Sequence, residues 1–109
     1  RFSFGSAVLT EASKQVLKAV AAEVKRDGGV LALRVEGHTD DNGQPQDLQM
    51  LSKQRAIAVR DFLDATRVLP TGKITAQGFG ATQPIASNQT LAGRTKNRRI
   101  EIVVTKRRP

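Results

Sequence analysis

The chain has 109 residues, of which 39% are apolar, and this suits one globular domain with a single core. It contains no cysteine and one histidine, which excludes disulfides, thiol catalysis and a histidine cluster for a transition metal. The net charge of +8 favours an anionic partner, and nucleic acid, acidic lipid and acidic cell-wall polymers all qualify.

The first residues predict a short strand, because Phe2 and Phe4 alternate with Arg1 and Ser3. No initiator methionine or signal peptide precedes this strand, so we expect a fragment or mature domain of a longer protein. No apolar run approaches the roughly 20 residues that span a bilayer. We therefore expect any membrane anchor to lie outside this segment.

A first helix is predicted from Thr10, a suitable N-cap, to Asp27. Gly28-Gly29 ends it, because glycine tolerates the left-handed conformation that follows many helices. The residues expected to face the core, at three- and four-residue spacing, are Val16, Leu17, Val20, Ala21 and Val24.

The middle of the chain predicts a strand, a loop and a second helix. Alternation over Val30–Glu36 indicates a central strand, and the turn formers of Asp40–Pro45 indicate a loop. Asp47 is a candidate cap for a helix that reaches about Thr66.

The last third predicts two more strands. One covers Lys73–Phe79, and a loop from Gln83 to Asn97 follows, with a helical turn near Thr90–Lys96. Arg99–Thr105 alternates strongly and closes the sheet, whereas Lys106–Pro109 is expected to be a frayed basic tail.

The order of elements predicts an α/β fold. Strands joined through helices run parallel by right-handed crossover, and the last strand, reached by a loop, can be antiparallel. We therefore expect one domain over residues 1–109, a two-layer βαβαβ(loop)β sandwich with two main helices on a mixed four-stranded sheet.

Arg55 is the most informative charged residue. It stands four residues after Leu51 and four before Val59, so the helical period places it along an apolar stripe. A buried guanidinium must be paired, and Asp40, at the end of the central strand, is the nearest partner that the topology offers. The two form either a structural ion pair or a site in which Arg55 grips a carboxylate and Asp40 receives an ammonium.

Other chemistry has less support. His38 has no second histidine, cysteine or serine-nucleophile motif beside it, which favours local hydrogen bonding over catalysis. Asp40-Asp41-Asn42 lacks the spacing of a calcium loop, so no metal is expected. Arg98 and Arg99 belong to a basic cluster, but adjacent strand residues point to opposite faces. We expect one to fix the preceding loop and the other to face solvent, and nucleic-acid binding rests on charge alone.

Several motifs together resemble the OmpA-like C-terminal domain over nearly the whole chain. The combination is specific, although each motif alone is weak. It implies a non-catalytic peptidoglycan-binding module of the Gram-negative periplasm, part of an outer- or inner-membrane-anchored porin, lipoprotein, stator protein or secretion anchor. The motifs are Gly37-His38-Thr39-Asp40, Leu51-Ser52 with Arg55-Ala56, Gly78-Phe79-Gly80, and Gly93-Arg94 with Asn97-Arg98-Arg99.

The resemblance also implies the ligand. In the family, the aspartate of GHTD and the arginine of LSxxRA hold diaminopimelate of the stem peptide, which carries an ammonium and a carboxylate. No cofactor, metal or nucleic acid is implied, a membrane would be contacted only through regions outside this segment, and a homodimer is left open. The ligand contacts implied here are Asp40, Arg55, Asn42, Arg98, Thr95 and Ser6.

Two positions depart from the family pattern. Leu48 stands where many members carry asparagine, and the early loop Gly5-Ser6-Ala7 offers only the Ser6 hydroxyl. Each lost neutral hydrogen bond is worth about 1 kcal/mol. The alternative function is therefore an interaction or dimerisation module of the envelope whose peptidoglycan site is weakened or lost.

Overall fold

The computed structural model describes residues 7–109. Over this range a mixed sheet has the order β2-β1-β3, with β1 parallel to β2 and antiparallel to β3. Residues 7–109 thus contribute three strands where four were predicted for the whole chain, and the strand expected at Phe2–Phe4 lies outside the described residues. The elements are α1 (Glu11–Asp27), β1 (Val30–His38), α2 (Pro45–Ala65), β2 (Ile74–Gly78), α3 (Leu91–Asn97) and β3 (Arg99–Arg107).

Helix α1 begins and ends as its sequence predicts. The hydroxyl of Thr10 accepts a hydrogen bond from the backbone N–H of Ser13 at 3.1 Å, and Gly28 ends the helix with φ of 72°. Leu17 is buried, but Val16 is 62% exposed, so its expected place in the core was wrong. Within residues 7–109, α1 packs along one side against α2 and β1, so its buried stripe is narrow.

Helix α2 starts earlier than predicted. Gln44 is its N-cap residue and makes no side-chain capping bond, and Pro45 occupies the first turn, where its missing N–H costs nothing. Asp47 is therefore not the cap, but lies in the first turn, where the positive end of the helix dipole favours a carboxylate.

The core lies between the sheet and the two long helices. Leu33 and Val35 of β1 are 1% and 0% exposed, which confirms β1 as the central strand. Each helix of residues 7–109 is too short or too polar to traverse a bilayer. The buried core residues are Leu17, Ala21, Val30, Leu33, Val35, Ala56, Val59, Leu63 and Ile74.

Two glycines let α2 lie directly on the sheet. Gly37 and Gly78 are neighbours across β1 and β2. A methyl group on Gly37 would lie 2.1 Å from the carbonyl oxygen of Ser52, and one on Gly78 would lie 2.5 Å from the backbone nitrogen of Lys53. Only residues without a side chain permit this approach. It fixes the first half of α2 against the carboxyl end of β1.

The C-terminal strand is longer than expected. β3 continues to Arg107, and Lys106 pairs with Ala32 of β1, so the predicted basic tail is partly strand. The backbone N–H of Arg108 donates to the carbonyl of Gly29 at 2.8 Å. The chain end is thereby tied to the loop between α1 and β1.

Candidate functional site

Asp40 lies just past the carboxyl end of β1 and is 5% exposed. One carboxylate oxygen, Oδ1, accepts a hydrogen bond from the backbone N–H of Asn42 at 3.0 Å. The other, Oδ2, accepts from Nη1 of Arg98 at 2.5 Å. The carboxylate is therefore held by its own loop on one side and by a guanidinium on the other.

Arg98 links Asp40 to the end of α3. Its Nη2 donates to the hydroxyl of Thr95 at 3.1 Å, and its side chain remains 34% exposed. Arg98 is thus the outermost charged member of the site. The sequence predicted Arg55 as the partner of Asp40 and did not indicate the ion pair between Asp40 and Arg98. The two residues are 58 positions apart, so no local periodicity could have indicated it.

Arg55 lies on the buried side of α2, as its spacing predicts, and is 8% exposed. Burial lowers the pKa of its guanidinium, the positive charge of Arg98 lowers that pKa further, and the carboxylate of Asp40 raises it. All three side chains therefore act on one another. The cluster holds two cations and one anion, so it favours a ligand that brings an additional negative charge.

The remaining predicted site residues have different positions. Asn42 is exposed and supplies its backbone N–H to Asp40, which leaves its side chain facing outward on the loop. The Thr95 hydroxyl donates to the carbonyl of Leu91 at 3.0 Å while accepting from Arg98. Ser6 lies outside the described residues.

Leu48 has a structural role. It is 8% exposed, and a methyl group on Gly43 would lie 3.2 Å from its Cδ2 atom. Its side chain therefore supports the loop between Asp40 and α2 from below. The family pattern, in which many members carry asparagine at this position, does not predict such a packing role.

The loop before β3 is organised by Asn97, which sequence reasoning used only as part of a motif. Its side chain is fully buried, and Oδ1 accepts from the backbone N–H groups of Ile85 and Ala86 at 2.8 and 3.0 Å. Its Nδ2 donates to the carbonyl of Ala86 and to Oδ1 of Asn88. This single amide fixes the position of the adjacent Arg98.

Arg99 fixes the same loop from the strand. Its Nη2 donates to the carbonyl of Gln83 at 3.1 Å, and its Nε donates to Glu101 at 2.5 Å. The expectation that one of the paired arginines holds the preceding loop is thus confirmed for Arg99. The other, Arg98, is partly exposed but serves Asp40 rather than solvent alone.

A second polar cluster lies on the sheet beside the site. Ligand atoms of Glu36, His38 and Glu101 all lie within 4.8 Å of one another, a donor set that suits a divalent cation. Arg34 and Arg99 each already pair with one of the two carboxylates, at 2.7 and 2.5 Å. Because the four side-chain charges cancel, we assign the cluster a structural role.

His38 is the buried centre of that cluster. It is 3% exposed, its ring stacks on Phe79 with centroids 5.2 Å apart, and its Nε2 lies 3.5 Å from Glu36. Burial, and then the charge of Arg99, lower the pKa of the imidazole. The ring is therefore neutral at pH 7. Neither ring nitrogen has a hydrogen-bond partner within residues 7–109, so the local hydrogen bonding expected for His38 was wrong, and the ring is held by burial and by stacking on Phe79.

The fold and the charged cluster define a small α/β domain that presents a carboxylate and two guanidiniums at the carboxyl edge of its sheet. The OmpA family model matches residues 1–98, and the chain belongs to the OmpA family. This confirms the resemblance drawn from the motifs.

Relatives in sequence include proteins of several kinds. The peptidoglycan-binding protein ArfA of Mycobacterium tuberculosis is 40% identical over 103 residues, which is 94% of this chain and 31% of ArfA. Outer membrane porin F of Pseudomonas aeruginosa is 38% identical over 104 residues, which is 95% of this chain and 29% of the porin. The chain therefore spans about a third of the length of these relatives.

Solved structures confirm the architecture. The cell wall anchor of the T6SS from Pseudomonas aeruginosa superposes with a TM-score of 0.85 at 31% identity, over 96% of this chain and 74% of that one. The peptidoglycan-associated lipoprotein from Burkholderia pseudomallei gives a TM-score of 0.80 at 25% identity, over 94% and 85% of the two chains. The mixed sheet with helices packed against it is common to all three.

Proposed function

We propose that this domain binds peptidoglycan through the diaminopimelate of the stem peptide. The observation that carries the proposal is the cluster of Asp40, Arg55 and Arg98, in which one buried carboxylate and two guanidiniums act on one another. Relatives described as peptidoglycan-binding, peptidoglycan-associated or a cell wall anchor support this function at the level of the family.

The proposed ligand supplies matching charges. Its ammonium takes the place of the Arg98 guanidinium on Oδ2 of Asp40, and its carboxylate lies between Arg55 and the displaced Arg98. One charge-assisted hydrogen bond is exchanged for another, so the displacement itself costs little. The added carboxylate neutralises a cluster that carries an excess positive charge in the empty protein.

The neighbouring polar groups have smaller roles in this proposal. Asn42 keeps Asp40 in place through its backbone N–H and offers its exposed side-chain amide to the peptide. Thr95 holds Arg98 and becomes free to bind the ligand when Arg98 moves. The Ser6 hydroxyl completes the proposed set of contacts.

A titration with soluble stem peptides tests the assignment. We expect a peptide with diaminopimelate to bind at least about tenfold more tightly than the same peptide with lysine, because lysine lacks the carboxylate that the two arginines receive. Arg55→Gln should remove this preference, whereas Asp40→Asn should weaken binding of both peptides, because both carry the ammonium that Asp40 receives. Chemical-shift mapping should place the perturbed amides around Asp40 and Asn42.

Matched controls are available on the same helix. Arg60 and Asp61 of α2 form an exposed ion pair at 3.0 Å, so Arg60→Gln and Asp61→Asn change charge without touching the site. Both should bind like the wild type. Equal binding of the lysine and diaminopimelate peptides by the wild type would contradict the proposal, as would equal sedimentation of Asp40→Asn with purified sacculi.

We further propose that residues 1–109 act as one non-catalytic binding domain that anchors a longer envelope protein to the wall from the periplasm. The relatives in support are lipoproteins, porins and wall anchors, all of them larger than this segment. Expressing the full-length parent with Asp40→Asn should release it from the peptidoglycan fraction while its membrane association is unchanged.

A further inference from the structure

A cavity of about 400 Å³ lies at the end of the sheet opposite Asp40. We call it the basal pocket, and its walls come from four separate parts of the chain. The end of α1 contributes Val24 and Lys25, the start of β1 contributes Val30 and Leu31, and the end of β3 contributes Lys106. The fourth part is the segment between α2 and β2. The further lining residues are Gly28, Val68, Leu69, Pro70, Lys73 and Arg108.

The interior of the basal pocket is apolar. Val24, Val68 and Leu69 are partly buried and pack against the hydrophobic core, and Leu31 is also partly exposed there. A volume of about 400 Å³ falls in the usual range of roughly 300–1,000 Å³ for sites that take small ligands. The pocket can therefore accept an apolar group of several carbon atoms.

The rim of the basal pocket is cationic. Lys25, Lys73, Lys106 and Arg108 line it, and no acidic side chain does so among residues 7–109. The nearby Asp27 is paired with Arg107 at 3.1 Å. Lysine and arginine place their methylene stems along apolar surface and their charged heads at its edge, which is the arrangement an anionic amphiphile requires.

Arg108 is held in position before any ligand arrives. Its backbone N–H donates to Gly29 at 2.8 Å, and its Nε donates to the carbonyl of Gly28 at 3.1 Å. Anchoring the guanidinium in this way reduces the entropy that binding would otherwise cost. The bond from Nε also satisfies the carbonyl of Gly28, the C-cap residue of α1, so part of the positive charge at the rim also stabilises the helix.

We propose that the basal pocket binds an anionic phospholipid, with its phosphate among the four cations and part of one acyl chain against the apolar interior. A concave site favours a single lipid drawn into a pocket over a flat layer of headgroups. The four basic side chains offer several charge-assisted hydrogen-bond donors around the rim, which suits the oxygens of a phosphate group. The site is separate from the peptidoglycan cluster, so the domain would contact lipid at one end of the sheet and the wall at the other.

Vesicle flotation tests the proposal. We expect binding to vesicles that contain phosphatidylglycerol and none to vesicles of phosphatidylcholine alone. Each cation near an anionic lipid surface contributes about 1 kcal/mol, so the double variant Lys73→Gln/Lys106→Gln should bind about 30-fold more weakly. Both residues are exposed, so the variant should fold normally, as circular dichroism would verify.

The matched control is Lys14→Gln/Lys18→Gln, which removes the same charge from α1 away from the pocket. This control should weaken binding less than about threefold. Equal losses in the two double variants would show attraction by net charge alone and would overturn the proposal. Binding of glycerol phosphate as tight as that of a short-chain phosphatidylglycerol would also overturn it, because no acyl chain would then be recognised. Preferential binding of an acidic apolar peptide would replace the lipid with a protein partner.

Discussion

Replacing Gly37 with alanine tests how α2 and the candidate site are positioned. The added methyl group would lie 2.1 Å from the carbonyl oxygen of Ser52 and 2.9 Å from its carbonyl carbon. Both atoms belong to the backbone of α2, so no side-chain rotation relieves the clash. The helix must move away from β1 by about 1 Å to restore a normal contact.

The expected cost lies at the upper end for an overpacked core, about 3 kcal/mol in the free energy of unfolding. With a slope near 2 kcal/mol per molar for a domain of this size, the urea midpoint should fall by about 1.5 M. Circular dichroism is the suitable probe, because the chain contains no tryptophan or tyrosine to report by fluorescence.

The same displacement should weaken ligand binding in molecules that remain folded. Arg55 moves with α2, whereas Asp40 stays with β1, and binding sites tolerate errors of only about 0.5 Å. We expect the affinity for a diaminopimelate peptide to fall at least about tenfold. A thermal shift of the free protein and a titration below its unfolding range separate the two effects.

Gly29→Ala is the matched control. An added methyl there would meet only flexible side chains, the carboxylate of Asp27 at 3.1 Å and the guanidinium of Arg107 at 3.8 Å, so stability and affinity should change little. If Gly37→Ala unfolds at the same urea concentration as Gly29→Ala, α2 does not pack against β1 as closely as described. If Gly37→Ala loses stability but keeps full affinity, the position of Arg55 does not depend on the close contact between α2 and β1.

Three further outcomes follow from polar side chains that are buried or cap a helix. Asn97→Ala leaves two backbone N–H groups without their acceptor and should cost about 2–4 kcal/mol, whereas the exposed Asn42→Ala should be nearly neutral in urea denaturation. Burial lowers the pKa of His38 below 6.5, so the unfolded chain binds a proton more readily than the folded one. The free energy of unfolding should therefore fall as the pH drops from about 7 to about 5.5, and it should fall less in His38→Gln. Thr10→Ala removes the N-cap of α1 and should cost about 1 kcal/mol, and an unchanged melting temperature would refute that role.

Elements with local signals were predictable from sequence. The Thr10 cap and Gly28 end of α1 were found, as was β1 at the centre of the sheet, because capping residues and alternation act over a few residues. The cap of α2 was missed by three residues, since Asp47 is a good cap by type but Gln44 is the N-cap and Pro45 already fits the first turn. The exposure of Val16 depends on which neighbours α1 has, and periodicity alone does not give this.

In the candidate site, too, only the features with a local sequence signal could be predicted. Arg55 could be predicted as buried because a charge on an apolar helical stripe is visible in the spacing, and the structure places it under the electrostatic influence of Asp40. The Asp40–Arg98 ion pair and the amide network of Asn97 join residues distant in sequence through an irregular loop. Their geometry results from tertiary packing that no period of 2 or 3.6 encodes.

The ion pair also bears on whether the cluster is structural or binds a ligand. Asp40 and Arg55 are 5% and 8% exposed, and Arg98 occupies Oδ2 of Asp40, so a ligand must displace Arg98 to bind that oxygen. Yet the Arg98 side chain is one-third exposed and held by a single bond to Asp40 and another to Thr95. A partly exposed guanidinium is hydrated by water when it moves away. An incoming ammonium then replaces Arg98 as the cation paired with Asp40. The same carboxylate can therefore stabilise the empty protein through Arg98 and the complex through the ligand, so the two roles exclude each other only if Arg98 cannot leave.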